Sequence, residues 1–164
     1  MRNGLDPRIC NITLDANAVD RDGGLHDGFV DRLLNLRQAG KINFVIPGSV
    51  RGEVQHPNTP AEVKSAVLPE IFSTGVSRTA GEHATLRQVR ALLRGNAAPG
   101  KHDADAFHLC EAAQKCGGGY FITHDRRMLE RREELRPLLG PAFRIVTLCE
   151  FLETYDEFAA RRPR

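Results

Sequence analysis

The chain has no apolar run near the ~20 residues a membrane helix needs. Its opening Met1-Arg2-Asn3-Gly4-Leu5-Asp6-Pro7 holds no apolar stretch that could act as a signal peptide. The expectation is a cytoplasmic protein without a membrane partner. Cysteine is sparse: Cys10, Cys110, Cys116 and Cys149 are scattered, with no Cys-x-x-Cys pair and no histidine at zinc-finger spacing. This argues against a disulfide scaffold and against structural zinc, and leaves reduced core thiols. No G-x-G-x-x-G follows a strand, so a dinucleotide cofactor has no support. The stretch Gly95-Asn96-Ala97-Ala98-Pro99-Gly100-Lys101-His102 nearly spells the phosphate loop of an NTPase. It fails because His102 stands where a hydroxyl residue must follow the lysine, and because a helix rather than a strand precedes it. Net charge is small too, at +2, too little to announce nucleic-acid binding by itself. Lysine is scarce, since nearly all of the 23 basic residues are arginine. Arginine's planar fork of donors suits phosphate oxygens, although codon usage explains such a bias equally well.

What the chain does have is an alternation of short apolar runs and amphipathic stretches. At 164 residues it fits one domain, spanning 1–164, able to bury roughly 70% of its unfolded surface. The pattern predicts a strand over 9–15, a helix over 27–39 with Phe29, Leu33, Leu34 and Leu36 as its apolar face, and Gly40 just past its end. A strand over 42–46 follows, then a short helix capped by Ser49 and carrying Glu53. Thr59-Pro60-Ala61-Glu62 and Thr79-Ala80-Gly81-Glu82 are capping boxes, opening helices to about Pro69 and Arg94. After a loop over 95–101 come a helix over 103–115, a stop at Gly117-Gly118-Gly119, a strand over 120–123 and a charged helix over 127–136. A strand over 144–147 and a final helix opened by the capping box Thr147-Leu148-Cys149-Glu150 end the series. Phe151, Leu152, Tyr155 and Phe158 form the stripe of that helix, which together with the middle helices is a candidate dimer face. The alternation implies an α/β fold with a mainly parallel sheet and helices on both faces.

Acidic residues recur at the ends of the predicted strands. Asp15 ends the first, Glu53 lies just past the second, and Asp125 sits two residues beyond the third, while Asp105 opens a helix. The carboxyl ends of parallel strands share the edge where ligands bind. Carboxylates gathered there resist ionising together unless a cation joins them, and hard divalent ions take oxygen ligands while keeping waters for phosphates. Each acid also has a plain structural reading. Asp15 suits an Asx-type turn, Asp125 an N-cap, Glu53 a solvated surface, and Asp105 the first turn of a helix. Asp103, two residues from Asp105, points to nearly the opposite side and fits an N-cap or a supporting role beside the site. His102, His108 and His124 flank the acids, His108 in a structural setting. Arg126, Arg127, Arg131, Arg132 and Arg136 begin beside Asp125, where a phosphate backbone would lie, and Arg87, Arg90 and Arg94 share one helical face. Either set could equally be a solvated face.

Four segments in order resemble the PIN-domain ribonucleases. Ile12-Thr13-Leu14-Asp15-Ala16-Asn17 resembles their first strand with Asp-x-Asn, and Ser49-Val50-Arg51-Gly52-Glu53-Val54 the segment bearing their glutamate. Asp105-Ala106-Phe107-His108-Leu109-Cys110-Glu111-Ala112-Ala113 is similar to their Asp-led helix. Tyr120-Phe121-Ile122-Thr123-His124-Asp125-Arg126-Arg127-Met128-Leu129 is similar to their strand with Thr-x-Asp. The resemblance implies a three-layer α/β/α sandwich and Mg²⁺- or Mn²⁺-dependent cleavage of single-stranded RNA. Asp15, Asp105, Asp125 and Glu53 would be the metal ligands and catalytic groups, and Asn17 and Thr123 would orient them, with Asp103 nearby. Arg126 and Arg127 would meet the RNA. Many bacterial members are VapC-type toxins, silenced by a small antitoxin protein and often homodimeric. The stretch between Glu53 and Asp105 is longer than in compact toxins. Two other functions stay open on the residues: a PIN-like scaffold that binds RNA or protein without cutting, and a phosphatase with Asp15 as nucleophile. The latter wants Asp-x-Asp where this chain has Asp15-Ala16-Asn17.

Overall fold

The computed structural model describes residues 4–45, 47–50, 55, 57, 61–67 and 77–161. Among them four strands, β1 Asn11–Leu14, β2 Asn43–Phe44, β3 Gly119–Ile122 and β4 Phe143–Val146, form one sheet in the order β2-β1-β3-β4, with every pairing parallel. The helices are α1 Leu25–Gln38, α2 Ala61–Val67, α3 Ala80–Arg94, α4 Asp103–Lys115, α5 Arg126–Glu130, α6 Arg132–Leu139 and α7 Leu148–Ala160. Single 3₁₀ turns occupy Ala16–Val19 and Gly48–Val50.

Strand residues alternate between faces, and the two cores follow that alternation. Ile12, Leu14, Tyr120 and Ile122 pack with Val30 and Leu33 of α1 and with Phe151, Leu152 and Tyr155 of α7. Phe121, Phe143 and Ile145 point the other way, into Leu86, Val89 and Leu93 of α3, Ala106 and Leu109 of α4, and Leu135 and Leu139 of α6. The result is a three-layer α/β/α sandwich, α/β in class. Phe121 and Phe151 are fully buried, one on each side of the sheet. Each such side chain contributes roughly 1.5–3 kcal/mol by leaving water.

Several local expectations are refined. Strand β1 is shorter at its start because Ile9 is 83% exposed, ahead of the first ladder pair. On α1 the buried residues are Val30 and Leu33, and Phe29 sits one step around the helix at the surface. Gly40 has the positive φ (+65°) expected beyond a helix end. Ser49 is the middle residue of a 3₁₀ turn, its N–H donates to the Glu111 carboxylate at 3.2 Å, and its Oγ has no partner among the described residues; the short helix expected after it lies outside them. Glu53 lies outside the described residues, as do Thr59, Pro60 and Pro69. The capping boxes at Thr79 and Thr147 both form, with reciprocal bonds to Glu82 and Glu150. The single charged helix expected over 127–136 is two helices. They break at Arg131 (φ −96°, ψ 3°), whose N–H turns back to the carbonyls of Arg127 and Leu129. Helix α6 then continues through Pro137, held by buried Leu135 and Leu139. Phe151, Leu152 and Tyr155 of the α7 stripe pack internally, α7 lying against α1 and the sheet, while Phe158 is only half-buried.

One glycine is demanded by packing. Gly119 has φ +95°, and a Cβ there would lie 2.0 Å from the carbonyl oxygen of Asn11. The β1–β3 ladder starts at that close approach, and Asn11 secures it by donating from Nδ2 to the Cys116 carbonyl at 2.7 Å. Among the described residues no helix is long and apolar enough to cross a membrane.

Candidate carboxylate site

From β1 the chain crosses to β2 on one side; from β3 it crosses to β4 on the other. The switch point therefore falls between β1 and β3, and a crevice opens beyond their carboxyl ends. Asp15 follows β1 directly, its N–H still bonded to the Ile122 carbonyl at 2.9 Å. Thr123 follows β3 in the same way, its N–H bonded to the Val146 carbonyl at 3.0 Å. Two sequence-distant motifs are thus delivered to one point by ordinary parallel pairing.

Thr123 joins them. Its buried hydroxyl donates to Asp15 Oδ2 at 2.7 Å and accepts from the Asp125 N–H at 2.9 Å. Asn17, in the 3₁₀ turn after β1, accepts at Oδ1 from the His124 N–H at 3.0 Å, with the Thr123 hydroxyl 3.4 Å away. These bonds fix Asp15, Asn17, Thr123 and Asp125 relative to one another. Asp125 is also the N-cap of α5: its Oδ1 accepts from the Met128 N–H at 3.0 Å. The capping role and the site role are compatible, because the cap engages a single oxygen.

Asp105 is placed in the first turn of α4, half-exposed, with Oδ2 3.2 Å from His102 Nδ1. Helix α4 leads through the glycine stop into β3 and so runs back against it, which carries its first turn toward the carboxyl edge of the sheet. The N-cap position of α4 belongs to His102, whose side chain makes no cap bond, so Asp103 is not the cap. Asp103 instead faces Arg90 at 3.7 Å. His108 is buried within the α4 face, in keeping with a structural role. Arg126 pairs with Glu130 at 2.6 Å, and Arg127 donates to the Leu93 carbonyl at 3.4 Å.

The sequence reading missed His26. Its ring meets that of His124 edge-on, centroids 4.4 Å apart, and its Nε2 is buried without a partner among the described residues. Burial, helped by the neighbouring His26, holds His124 below the ordinary imidazole value against the opposing pull of Asp20 and Asp22. No spacing rule links residues 26 and 124. Only the crossover does, because the chain leaves β1 at the carboxyl edge and begins α1 there.

The donors assembled beyond β1 and β3 are hard oxygens: the carboxylates of Asp15 and Asp125 with the Asn17 amide and Thr123 hydroxyl. Such a set fits Mg²⁺, which is usually held by one or two carboxylates and keeps several waters. Among the described residues no group of three or more His, Cys, Asp and Glu side chains converges to hold a metal. No family model matches the chain, and no curated protein or solved structure does.

Proposed function

We propose that this chain is a Mg²⁺- or Mn²⁺-dependent ribonuclease acting on single-stranded RNA, of the PIN-domain kind its motifs resemble. The observation that carries the reading is the linkage of Asp15 and Asp125 through Thr123 at the switch point of a parallel sheet. Asp15, Asp125 and Asp105 would hold the ion, with Glu53 as a further ligand or as the base that orients water. When bound, such a cation lowers the pKa of coordinated water and neutralises charge on the attacked phosphate. Thr123 keeps Asp15 in one orientation by donating to it, and Asn17 holds the backbone between Thr123 and Asp125 by accepting from His124. An antitoxin protein and a homodimer are partners proposed on the same resemblance.

The second reading is a PIN-like scaffold that binds RNA or protein without cutting. On its side is the absence, among the described residues, of any three-residue metal group. The deciding experiment incubates labelled single-stranded RNA with the protein in Mg²⁺, in Mn²⁺ and in EDTA, beside Asp15→Asn. Cleavage should need metal and fall about 100-fold or more in the variant, a loss of roughly 2.7 kcal/mol in transition-state stabilisation. Circular dichroism of the variant should be unchanged, since an asparagine oxygen still accepts from Thr123. A folded Asp15→Asn protein that cuts like wild type rules out the assignment. Calorimetry showing no divalent binding by the wild type favours the scaffold.

A further inference from the structure

Beside Asp125 the surface opens into a groove of about 430 Å³ between the last turn of α3, the 95–97 turn, helix α5 and the break at Arg131. Arg94, Arg126, Arg127 and Arg131 line it, with Asn96, against the single carboxylate of Glu130. We infer that this groove is a phosphate subsite for single-stranded RNA, holding a stretch of backbone next to the carboxylate pair. The inference rests on the ribonuclease reading and extends it to residues of α3 and the 95–97 turn.

The groove's electrostatics need a partner. Arginines at a helix carboxyl end are ordinarily explained by the helix dipole, and those along a helix by pairs at i+3 or i+4. Both effects operate here: Arg127 donates to the Leu93 carbonyl, Arg126 pairs with Glu130, and Arg131 with Glu134. They do not balance the site. Arg94 has no carboxylate partner among the described residues. The Arg126–Glu130 pair is 89% and 60% exposed, and the Arg131–Glu134 pair is also open to water. Exposed pairs of this kind contribute little and exchange readily for a better anion.

Guanidinium groups converge on the groove from two separate elements. A phosphodiester offers each a bidentate acceptor, with charge-assisted bonds stronger than neutral ones. The same planes stack on unpaired bases, and Asn96 offers donors and acceptors to a base edge. The lining is polar and open, unlike the mostly apolar pockets that enclose small ligands. Sequence adjacency joins the two sites, for Arg126 follows Asp125 directly.

The test is fluorescence anisotropy of a 5′-labelled 12-nucleotide single-stranded RNA with EDTA present, so that binding is read without cleavage. Wild type, the double variant Arg94→Gln/Arg131→Gln and the opposite-sign variant Glu130→Gln are compared across a salt series, with thermal melts to confirm folding. The double variant should bind about 10-fold or more weakly, and its log affinity against log salt should flatten by about 0.7 for each phosphate no longer neutralised. Glu130→Gln should bind more tightly, because it removes the competing carboxylate. Equal binding by all three proteins, or no binding by wild type, overturns the proposal. Equal binding of a duplex RNA, or of a phosphopeptide of matched charge, overturns the assignment to single-stranded RNA. Cleavage in Mg²⁺ is scored separately: weakened binding by the double variant with no cleavage by wild type leaves the subsite standing and removes the nuclease.

Discussion

Thr123 does more for the carboxylate site than either acid does alone. It is fully buried, and one oxygen serves two partners: it donates a hydrogen bond to Asp15 and accepts one from the Asp125 N–H. Replacing it with valine keeps the shape and deletes both bonds, leaving the Asp125 N–H without its acceptor. Loss of such a group costs about 1–3 kcal/mol. Thr123→Val should therefore lower the urea midpoint accordingly and reduce RNA cleavage at least tenfold, while Thr123→Ser restores most of both. A valine variant as stable and active as wild type would show that the two motifs hold their places without the hydroxyl.

At the scale of elements, the two capping boxes give the clearest test of local electrostatics. Glu82 is held below its ordinary value of 4.5 first by the Lys115 ammonium, at 2.7 Å, and then by the Thr79 N–H. For Glu150 burial pushes upward, and the Thr147 N–H and Arg132 outweigh it, so the net direction is also down. A carboxylate depressed in the folded state stabilises above its unfolded value, and that stabilisation is lost as pH falls through the folded one. Glu82→Gln/Glu150→Gln should thus melt below wild type at pH 7, with the gap closing progressively below pH 4.5; a gap independent of pH would mean the charges contribute nothing. These boxes were legible in the sequence because a cap is a local code, written within four residues. The strand-end placement of Asp15 and Asp125 was legible for the same reason. The break at Arg131 was not, because it depends on where Leu135 and Leu139 must reach the second core. Nor was the shortness of β2, which two ladder pairs define. Asp105 was placed correctly in a first turn, but its neighbour His102 needed coordinates.

Over the whole molecule, the sheet separates two cores that share no side chains, and the thiols sample them unequally. Cys110 is wholly buried in the core under α3 and α4, and Cys116 is buried near the start of β3. Burial pushes both up to about 11, so little thiolate exists at neutral pH. Cys10 and Cys149 are half-exposed and their thiols also lie above the ordinary value, Cys10 chiefly through burial. In native buffer at pH 8 a disulfide reagent should consume Cys149 and Cys10 first, while Cys110 waits for the fold to open. Because Cys110 lies where α3, α4 and the sheet meet, no fraying of one terminus exposes it. The free energy of opening read from its labelling should then equal that of global unfolding measured with urea. Labelling of Cys110 well below that cost would mean that α3 and α4 detach as a unit while β1, β3 and the α1–α7 face stay folded. The carboxylate site would survive such an opening. The arginine groove, which needs the last turn of α3, would be lost, so labelling and RNA binding should then respond together to mild denaturant.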